Sequence, residues 1–306
     1  MSFDPTSLDL FIRIASLGAI GKAGREFGLS PTATTQRIQG LEDELGVKLF
    51  NRTTRKVALT SDGEVFLNHA RKIITAIEDA RSDLSTTAKN IKGELRVAAP
   101  ASFGRRHIAP YVTEFLKEYP DVRVRLDFSD GLVDIVDQGF DLALRIGQLA
   151  SSTLVARKLA EIPRLLTASP GYLKTAGPIE KPEDLSAHNC IILGNNRNWK
   201  LRDPEGIEHE VRVNGNLTTN YSDVVTEVAI AGGGIALRSQ WDIHQLVTDG
   251  KLVPLLDDHT IVPEWSLWAV RPPGQMVPAR VRAFIDFIAD KFKELDAYPL
   301  SNPHRK

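Results

Sequence analysis

The 306-residue chain has a single cysteine, Cys190, so no disulfide can form within it, and a lone thiol fits a reducing compartment. Its setting, HNCIIL, reads as a buried strand, and there is no second cysteine to resolve an oxidised thiol. No apolar run reaches membrane-spanning length, and the opening MSFDPTSLDLFIRIAS lacks the basic start and apolar core of an export signal. The expected location is the cytoplasm, with no membrane partner. The seven histidines, His69, His107, His188, His209, His244, His259 and His304, show no two at metal-ligand spacing and no cysteine pair beside them, so neither a metal nor another cofactor is expected. His107 alone lies near a candidate ligand cleft, where it could be a pH-sensitive contact. No nucleophile with a nearby base is legible, so no catalytic residue is assigned and the chain is not expected to be an enzyme. Gly232, Gly233 and Gly234 follow a helix and precede a strand, the reverse of a phosphate-binding loop, and read as a helix C-cap with a tight turn. A formal net charge of -1 excludes a global pull toward nucleic acid; any such affinity must come from local charge.

That local charge is present. Residues 18–60 hold Lys22, Arg25, Arg37, Lys48, Arg52, Arg55 and Lys56 within a pattern of two short helices, a third helix and a basic turn. A helix containing the small residues Ala19 and Ala23 leads to a turn at Gly28. The next helix opens at Ser30, a hydroxyl N-cap, with Pro31 at its first position. Thr34, Ile38, Leu41 and Leu45 recur in steps of four, three and four and predict one buried stripe. Thr32, Thr35, Gln36 and Gln39 are left on the outer side, as short polar and amide groups suited to base edges in a major groove. The acidic run Glu42, Asp43 and Glu44 lies at the far end and reads as a solvated face. Gly40, inside the helix, costs roughly 1 kcal/mol relative to Ala; close approach of a backbone and simple drift explain it equally well.

The following run, Leu49 to Val57, is a basic turn between residues that suit strands, a wing able to lay guanidinium groups on phosphates or in a minor groove. Together, FGLS, LSPTATTQRIQGLE and ELGVKLFNRTTRKVALTSDGEVFL resemble the N-terminal signature of LysR-type transcriptional regulators. The resemblance implies DNA contacts from Pro31, Thr32, Thr35 and Gln36 on the recognition helix and from Arg52 and Arg55 in the wing, with Arg37, Gln39 and Lys56 as further candidates. The family commonly has Arg directly after the position of Thr35, whereas Gln36 stands there and Arg37 follows, about 100° further round the helix. A bidentate Gln favours adenine where Arg favours guanine, so an unusual operator half-site is expected.

After the wing, Ser61 or Asp62 can cap a long helix in which Phe66, Ala70, Ile73, Ile77, Ala80, Leu84, Thr87 and Ile91 alternate steps of four and three. So narrow a seam predicts dimerisation, with Phe66, Ala70, Ile73, Ile77 and Leu84 as contacts, and two recognition helices on a two-fold axis suit an inverted repeat. The expected organisation is a winged helix-turn-helix domain over 1–60, a linker and dimerisation helix over 61–92, and an effector-binding domain over 93–306.

From Gly93 the pattern becomes α/β. Strands are expected at Glu94 to Ala99, Val122 to Phe128 and Phe140 to Ile146. Helices are expected around Ile108 to Leu116 and at Leu132 to Val136. A second unit has strands at Leu165 to Ala168, Cys190 to Leu193 and Ile235 to Leu237 and a helix at Ser222 to Ala231. The chain then returns through Trp265 to Val270 and a helix over Val281 to Phe292. The expected fold is therefore α/β with an all-α winged helix-turn-helix at its N-terminus. Subdomain I covers about 93–162 and 266–306, and subdomain II about 163–265. The C-terminal part resembles the LysR-type effector domain, itself similar to periplasmic binding proteins.

Helix starts near Ala101, Ser102 and Phe103 and after Thr219 and Asn220 would face one gap, and two positive helix ends favour an anion. Equally, Ser102 and Ser222 could merely cap their own helices. The family resemblance implicates Arg145, Ile146 and Gly147 as a third wall; Arg145 could hold a carboxylate or pair with Asp130 or Asp134. Asp223 counts against a simple carboxylate ligand. The loop Gly194 to Trp199, with Asn195, is either a ligand cap or an exposed turn. The expected partners are double-stranded promoter DNA, a small-molecule effector of anionic character, a second copy in a homodimer or homotetramer, and RNA polymerase if the protein activates. Two other classes predict differently: a fused enzyme would need a nucleophile and base, and an architectural DNA binder would show no saturable effector response.

Overall fold

The computed structural model describes residues 4–52, 57–83, 91–131, 134–149, 153–273 and 277–293. Helix α1 (Pro5–Leu17) starts at Asp4, whose carboxylate accepts the Thr6 and Ser7 N–H groups. Helix α2 (Ile20–Glu26) ends in a turn where Gly28 takes φ +67°, a left-handed conformation that a side chain resists. Helix α3 (Pro31–Leu45) begins at Ser30, whose Oγ accepts the Ala33 N–H at 3.2 Å. Strands β1 (Phe50–Arg52) and β2 (Val57–Leu59) pair antiparallel, Phe50 opposite Leu59 and Arg52 opposite Val57, and form the wing. Phe11, Ile14, Ile38, Leu41, Leu49 and Phe50 close the core beneath them.

The acidic run behaves differently from expectation. Glu42 is only 2% exposed, while its neighbours Asp43 and Glu44 face solvent. Its carboxylate accepts Lys48 Nζ at 2.9 Å, the Leu49 N–H at 3.0 Å and the Phe50 N–H at 3.3 Å. Two backbone donors at the entry to the wing are thereby satisfied. Burial alone would raise the Glu42 carboxyl, but these hydrogen bonds outweigh it and hold it below the usual range.

Helix α4 (Ser61–Asp83) is capped by Thr60, one residue before the expected cap; the Thr60 Oγ accepts the Gly63 N–H at 2.9 Å. The regular seam on α4 divides. Ala70 is fully buried in its own domain's core, Phe66 packs on Phe11 with ring centroids 5.2 Å apart, and Ile73 lies against the same cluster. Ala70 is therefore withdrawn from the dimer seam, whereas Phe66 and Ile73 pack on the winged-helix core and keep part of their surface exposed. Ile77 is half-buried and lies outside that cluster, and Leu84 falls outside the described residues.

The C-terminal part opens with β3 (Gly93–Ala99) and α5 (Ala101–Phe103), which runs through a π-turn at 104–108 into α6 (Ala109–Glu118). Next come β4 (Val122–Phe128), β5 (Leu142–Gly147) and β6 (Val155–Ile162). The helix expected over 132–136 is replaced, from Asp134 on, by turns in which the Asp134 carboxylate accepts the Val136 and Asp137 N–H groups; residues 132–133 lie outside the described set. The chain continues through β7 (Arg164–Ala168), α7 (Pro170–Ala176), β8 (Cys190–Leu193), β9 (Asn198–Arg202), β10 (Glu208–Arg212), β11 (Thr218–Thr219) and α8 (Ser222–Ile230). It closes with β12 (Ile235–Ser239), α9 (Gln240–Thr248), β13 (Val253–Leu255), β14 (Thr260–Val262), β15 (Trp265–Arg271) and α10 (Ala279–Phe292).

One sheet has the order β4-β3-β5-β15-β6, with β3 parallel to β4 and β5 and β15 antiparallel to both its neighbours. A second has the order β11-β8-β12-β7-β13, and a three-stranded β10-β9-β14 sheet lies with it. The chain crosses from the first sheet to the second at Pro163, between β6 and β7, and returns at Pro263, between β14 and β15. The glycine trio follows α8 and precedes β12, with Gly232 at φ +87° and Gly234 at +145°, a helix exit and turn. Among the described residues, no helix is long and apolar enough to cross a membrane.

Candidate DNA interface and effector cleft

The buried stripe of α3 leaves one face outward. Thr34, Ile38 and Leu41 are buried, whereas Pro31, Thr32, Gln36 and Gln39 are exposed and Thr35 is half-exposed. Thr34 is held by Oγ1 donating to the Ser30 carbonyl at 2.8 Å, and α2 approaches it closely: a Cβ on Gly24 would sit 2.0 Å from Thr34 Oγ1. Arg37 departs from its assignment. Its guanidinium donates to both Asp4 oxygens, at 3.0 and 2.9 Å, and its Nε donates to Ser7 Oγ at 2.8 Å, so it is turned onto α1. Burial pulls the Asp4 carboxyl upward, but the hydrogen bonds from Arg37 and Ser7 outweigh it and leave it far below the usual range. Arg52 lies in β1; its side chain, and Arg55 and Lys56, lie outside the described residues.

Between the two larger sheets lies a cavity of about 800 Å³, well within the range of small-molecule sites. Ser102, Phe103, Arg145, Ile146, Gly147 and Asn220 contribute to its wall. Ala101, Asn195 and Thr219 do not. The Ala101 N–H is committed to Asp130, Asn195 stands exposed on the β8–β9 turn, and Thr219 Oγ1 accepts the Tyr221 N–H at 3.1 Å.

The two helix starts do face each other, and the gap is bridged. Ser102 Oγ lies 3.0 Å from Ser222 Oγ, and neither hydroxyl caps its own helix. The Asp130 carboxylate accepts the Ala101 N–H at 2.8 Å and the Ser222 N–H at 3.4 Å. An internal anion thus occupies the position that two positive helix ends favour. Asp223 is explained by cations across the gap: Arg105 and Arg106 reach it at 2.9 and 3.2 Å. Burial alone would raise the Asp223 carboxyl; the Ser102 hydroxyl and both guanidiniums outweigh it and lower it. Arg106 also pairs with buried Asp242, which accepts Arg238 and the Thr226 hydroxyl as well. These contacts form a clasp between the two subdomains. No sequence periodicity announces it, because its partners are 92 to 136 residues apart.

The remaining candidates are placed as follows. Arg145 is half-buried on β5, opposite Trp268 on β15, whose indole N–H donates to the Gly147 carbonyl at 3.0 Å. Of the two carboxylates considered for it, Asp130 serves the clasp and Asp134 its own turn. His107 is stacked on Phe103 with centroids 5.2 Å apart and set edge-on to Trp241 at 4.9 Å, and it is absent from the cavity wall. Burial, aided by Arg106, lowers its proton affinity and favours the neutral imidazole. Trp199 is buried in β9, with its indole N–H donating to the Asn196 carbonyl, while Gly194 to Asn196 form an exposed turn. Cys190 is fully buried, and burial pushes its thiol up to about 12, which leaves almost no thiolate for redox chemistry.

A winged helix-turn-helix joined by a long helix to a clefted two-subdomain α/β unit defines a ligand-responsive DNA-binding protein. Residues 5–64 match the bacterial regulatory helix-turn-helix protein, lysR family, and residues 88–293 match the LysR substrate binding domain. The chain belongs to the LysR-type family of transcriptional regulators. It is 34% identical over 291 residues to the HTH-type transcriptional regulator DmlR of Escherichia coli K12, covering 94% of each chain. It is 31% identical to the HTH-type transcriptional activator TtdR of the same strain, over 92% of this chain and 91% of that one. Among solved structures it is similar to CrgA, a LysR-type regulator of Neisseria meningitidis, with TM-score 0.60, 27% identity, and 94% and 98% of the chains covered. It is also similar to the full-length Vibrio cholerae virulence activator AphB, with TM-score 0.59, 26% identity, and 94% and 99% covered. The protein is a transcriptional regulator with a DNA-binding and an effector-binding domain.

Proposed function

We propose that the outer face of α3, Pro31, Thr32, Thr35, Gln36 and Gln39, reads base edges in the major groove of promoter DNA, while Arg52, Arg55 and Lys56 of the wing contact phosphates or the minor groove. The burial of the opposite face of α3 supports this reading, since it leaves that polar strip outward over the first half of the helix. Two copies joined along α4 from Ile77 onward, with Leu84 in the same seam, present two such helices to an inverted repeat, as a homodimer or a pair of dimers. The protein works in the cytoplasm, and as an activator it would also engage RNA polymerase.

The effector occupies the cleft against Ser102, Phe103, Arg145, Ile146, Gly147 and Asn220. The observation that carries its chemistry is the Asp130 bridge between the Ala101 and Ser222 amides. A small anion competes for those same donors, frees Asp130 and changes the angle between the subdomains. Because such a ligand has different contacts in the two arrangements, it shifts their populations and so the spacing of the DNA-binding heads. Genome-wide mapping of bound DNA with a footprint on the strongest site tests the reading. An interrupted inverted repeat in a promoter is expected; diffuse binding without a motif would replace the promoter-specific reading with an architectural one.

A further inference from the structure

Adjoining the main cleft, with which it shares Leu193, Arg238, Ser239 and Trp265, a second cavity of about 340 Å³ lies beside the crossovers at Pro163 and Pro263. Trp199, Trp265 and Ile261 give it apolar walls, and Asn196 and Asn198 add amides. Arg164 enters the same wall and is 9% exposed. Its Nη2 donates to the Pro263 carbonyl at 2.7 Å and its guanidinium lies 3.8 Å from the Trp265 ring centre. Its Nε is buried without a hydrogen-bond partner, and among the described residues no carboxylate lies within ion-pair distance of it. The other two cations on this wall are neutralised, Arg238 by Asp242 and Lys200 by Glu210 at 3.1 Å.

A buried charge without a counter-ion is costly, and the cost shows here as a guanidinium that burial alone lowers to about 10. The ring of Trp265 and one carbonyl compensate it only in part. The main cleft shows the opposite balance: its cationic ends already hold Asp130, Asp223 and Asp242. From this we infer that the hinge cavity is a second ligand site, for a small organic monoanion with an apolar body, whose carboxylate pairs with Arg164 while its body lies among the two tryptophans and Ile261. A ligand there touches β7, just after the first crossover, and β14 and the start of β15, on either side of the second, and so restrains the hinge.

Titration of the full chain with benzoate and hexanoate, each beside its neutral amide, tests this by calorimetry and by tryptophan fluorescence. At least one carboxylate is expected to bind saturably and at least tenfold more tightly than its amide. Arg164→Met, which keeps an apolar side chain at the site, is expected to abolish that preference, and Arg164→Lys to restore part of it. Ile146→Trp, which fills only the main cleft, is expected to leave it unchanged. If Arg164→Met does not fold, Asn198→Trp, which blocks the hinge cavity, is expected to remove the same binding. No saturable carboxylate binding, equal binding of the amides, or loss in Ile146→Trp with retention in Arg164→Met would each overturn the assignment. The promoter reading stands or falls on the footprint, and loss in Ile146→Trp with retention in Arg164→Met would place the carboxylate in the main cleft of the proposed function instead.

Discussion

Glu42 and Arg37 show how charge in the winged-helix domain divides between holding the fold and facing the groove. Both sit on α3, yet Glu42 points inward to the wing's first amides and Arg37 sideways to the cap of α1. Removing the Glu42 carboxylate leaves two nearly buried N–H groups without an acceptor, so Glu42→Ala should destabilise the domain by about 2 kcal/mol or more. The lowered carboxyl gives this contribution a pH window. It is present above the ordinary glutamate range and is lost as pH falls through the lower folded value, so the gap between wild type and variant in urea melts should shrink in acid. Arg37 and Asp4 are each about a third exposed, and such a pair is worth at most about 1 kcal/mol. Arg37→Ala should therefore leave base preference unchanged, while Gln36→Ala should change it at one operator position. Selection of binding sites from random DNA separates the two; altered preference in Arg37→Ala would return that residue to the reading surface.

At the scale of elements, the angle between α2 and α3 rests on a glycine. Gly24→Ala would drive a methyl into Thr34, whose own hydroxyl is committed to the Ser30 carbonyl, so the helices must separate. Overpacking of this kind costs about 1–3 kcal/mol, and the variant should melt lower and bind all operator sequences more weakly in gel-shift assays. The α2–α3 turn itself was legible from Gly28, Ser30 and Pro31, because local conformational preferences decide it. The heptad run on α4 was legible as a stripe but not as a destination: Phe66, Ala70 and Ile73 have the same spacing whether they meet a partner or their own Phe11. Local pattern also revealed most strands, yet it missed β6, whose VARKLAEI mixes apolar and charged residues without clean alternation, and the short β9, β10, β11, β13 and β14. Ile77→Asp tests what is left of the seam. It should dissociate the assembly in sedimentation experiments without lowering the monomer's melting point, whereas Ala70→Asp should unfold the winged-helix domain.

The whole molecule depends on contacts that no stretch of sequence contains. The cleft wall was partly readable, Ser102 from its place between a strand and a helix start, and Arg145 and Gly147 only from the family resemblance. The clasp was not, because Asp130 is distinguished only by meeting Ala101 on one subdomain and Ser222 on the other. Its consequence is mechanical. The Asp130 carboxylate ties the two helix starts together, and the proposed effector would work against that contact. Asp130→Ala removes the internal competitor while leaving the helix ends open. The variant should show faster amide exchange around Ala101 and Ser222 without ligand, since both N–H groups lose their acceptor. Its footprint should move toward the effector-bound pattern of the wild type, and a small carboxylate should bind the cleft more tightly, because it no longer displaces a tethered rival. Unchanged exchange at both amides together with an unchanged footprint would show that the Arg105 and Arg106 pairs to Asp223 and Asp242 set the subdomain angle, and would move the switch from the helix ends to that ion network.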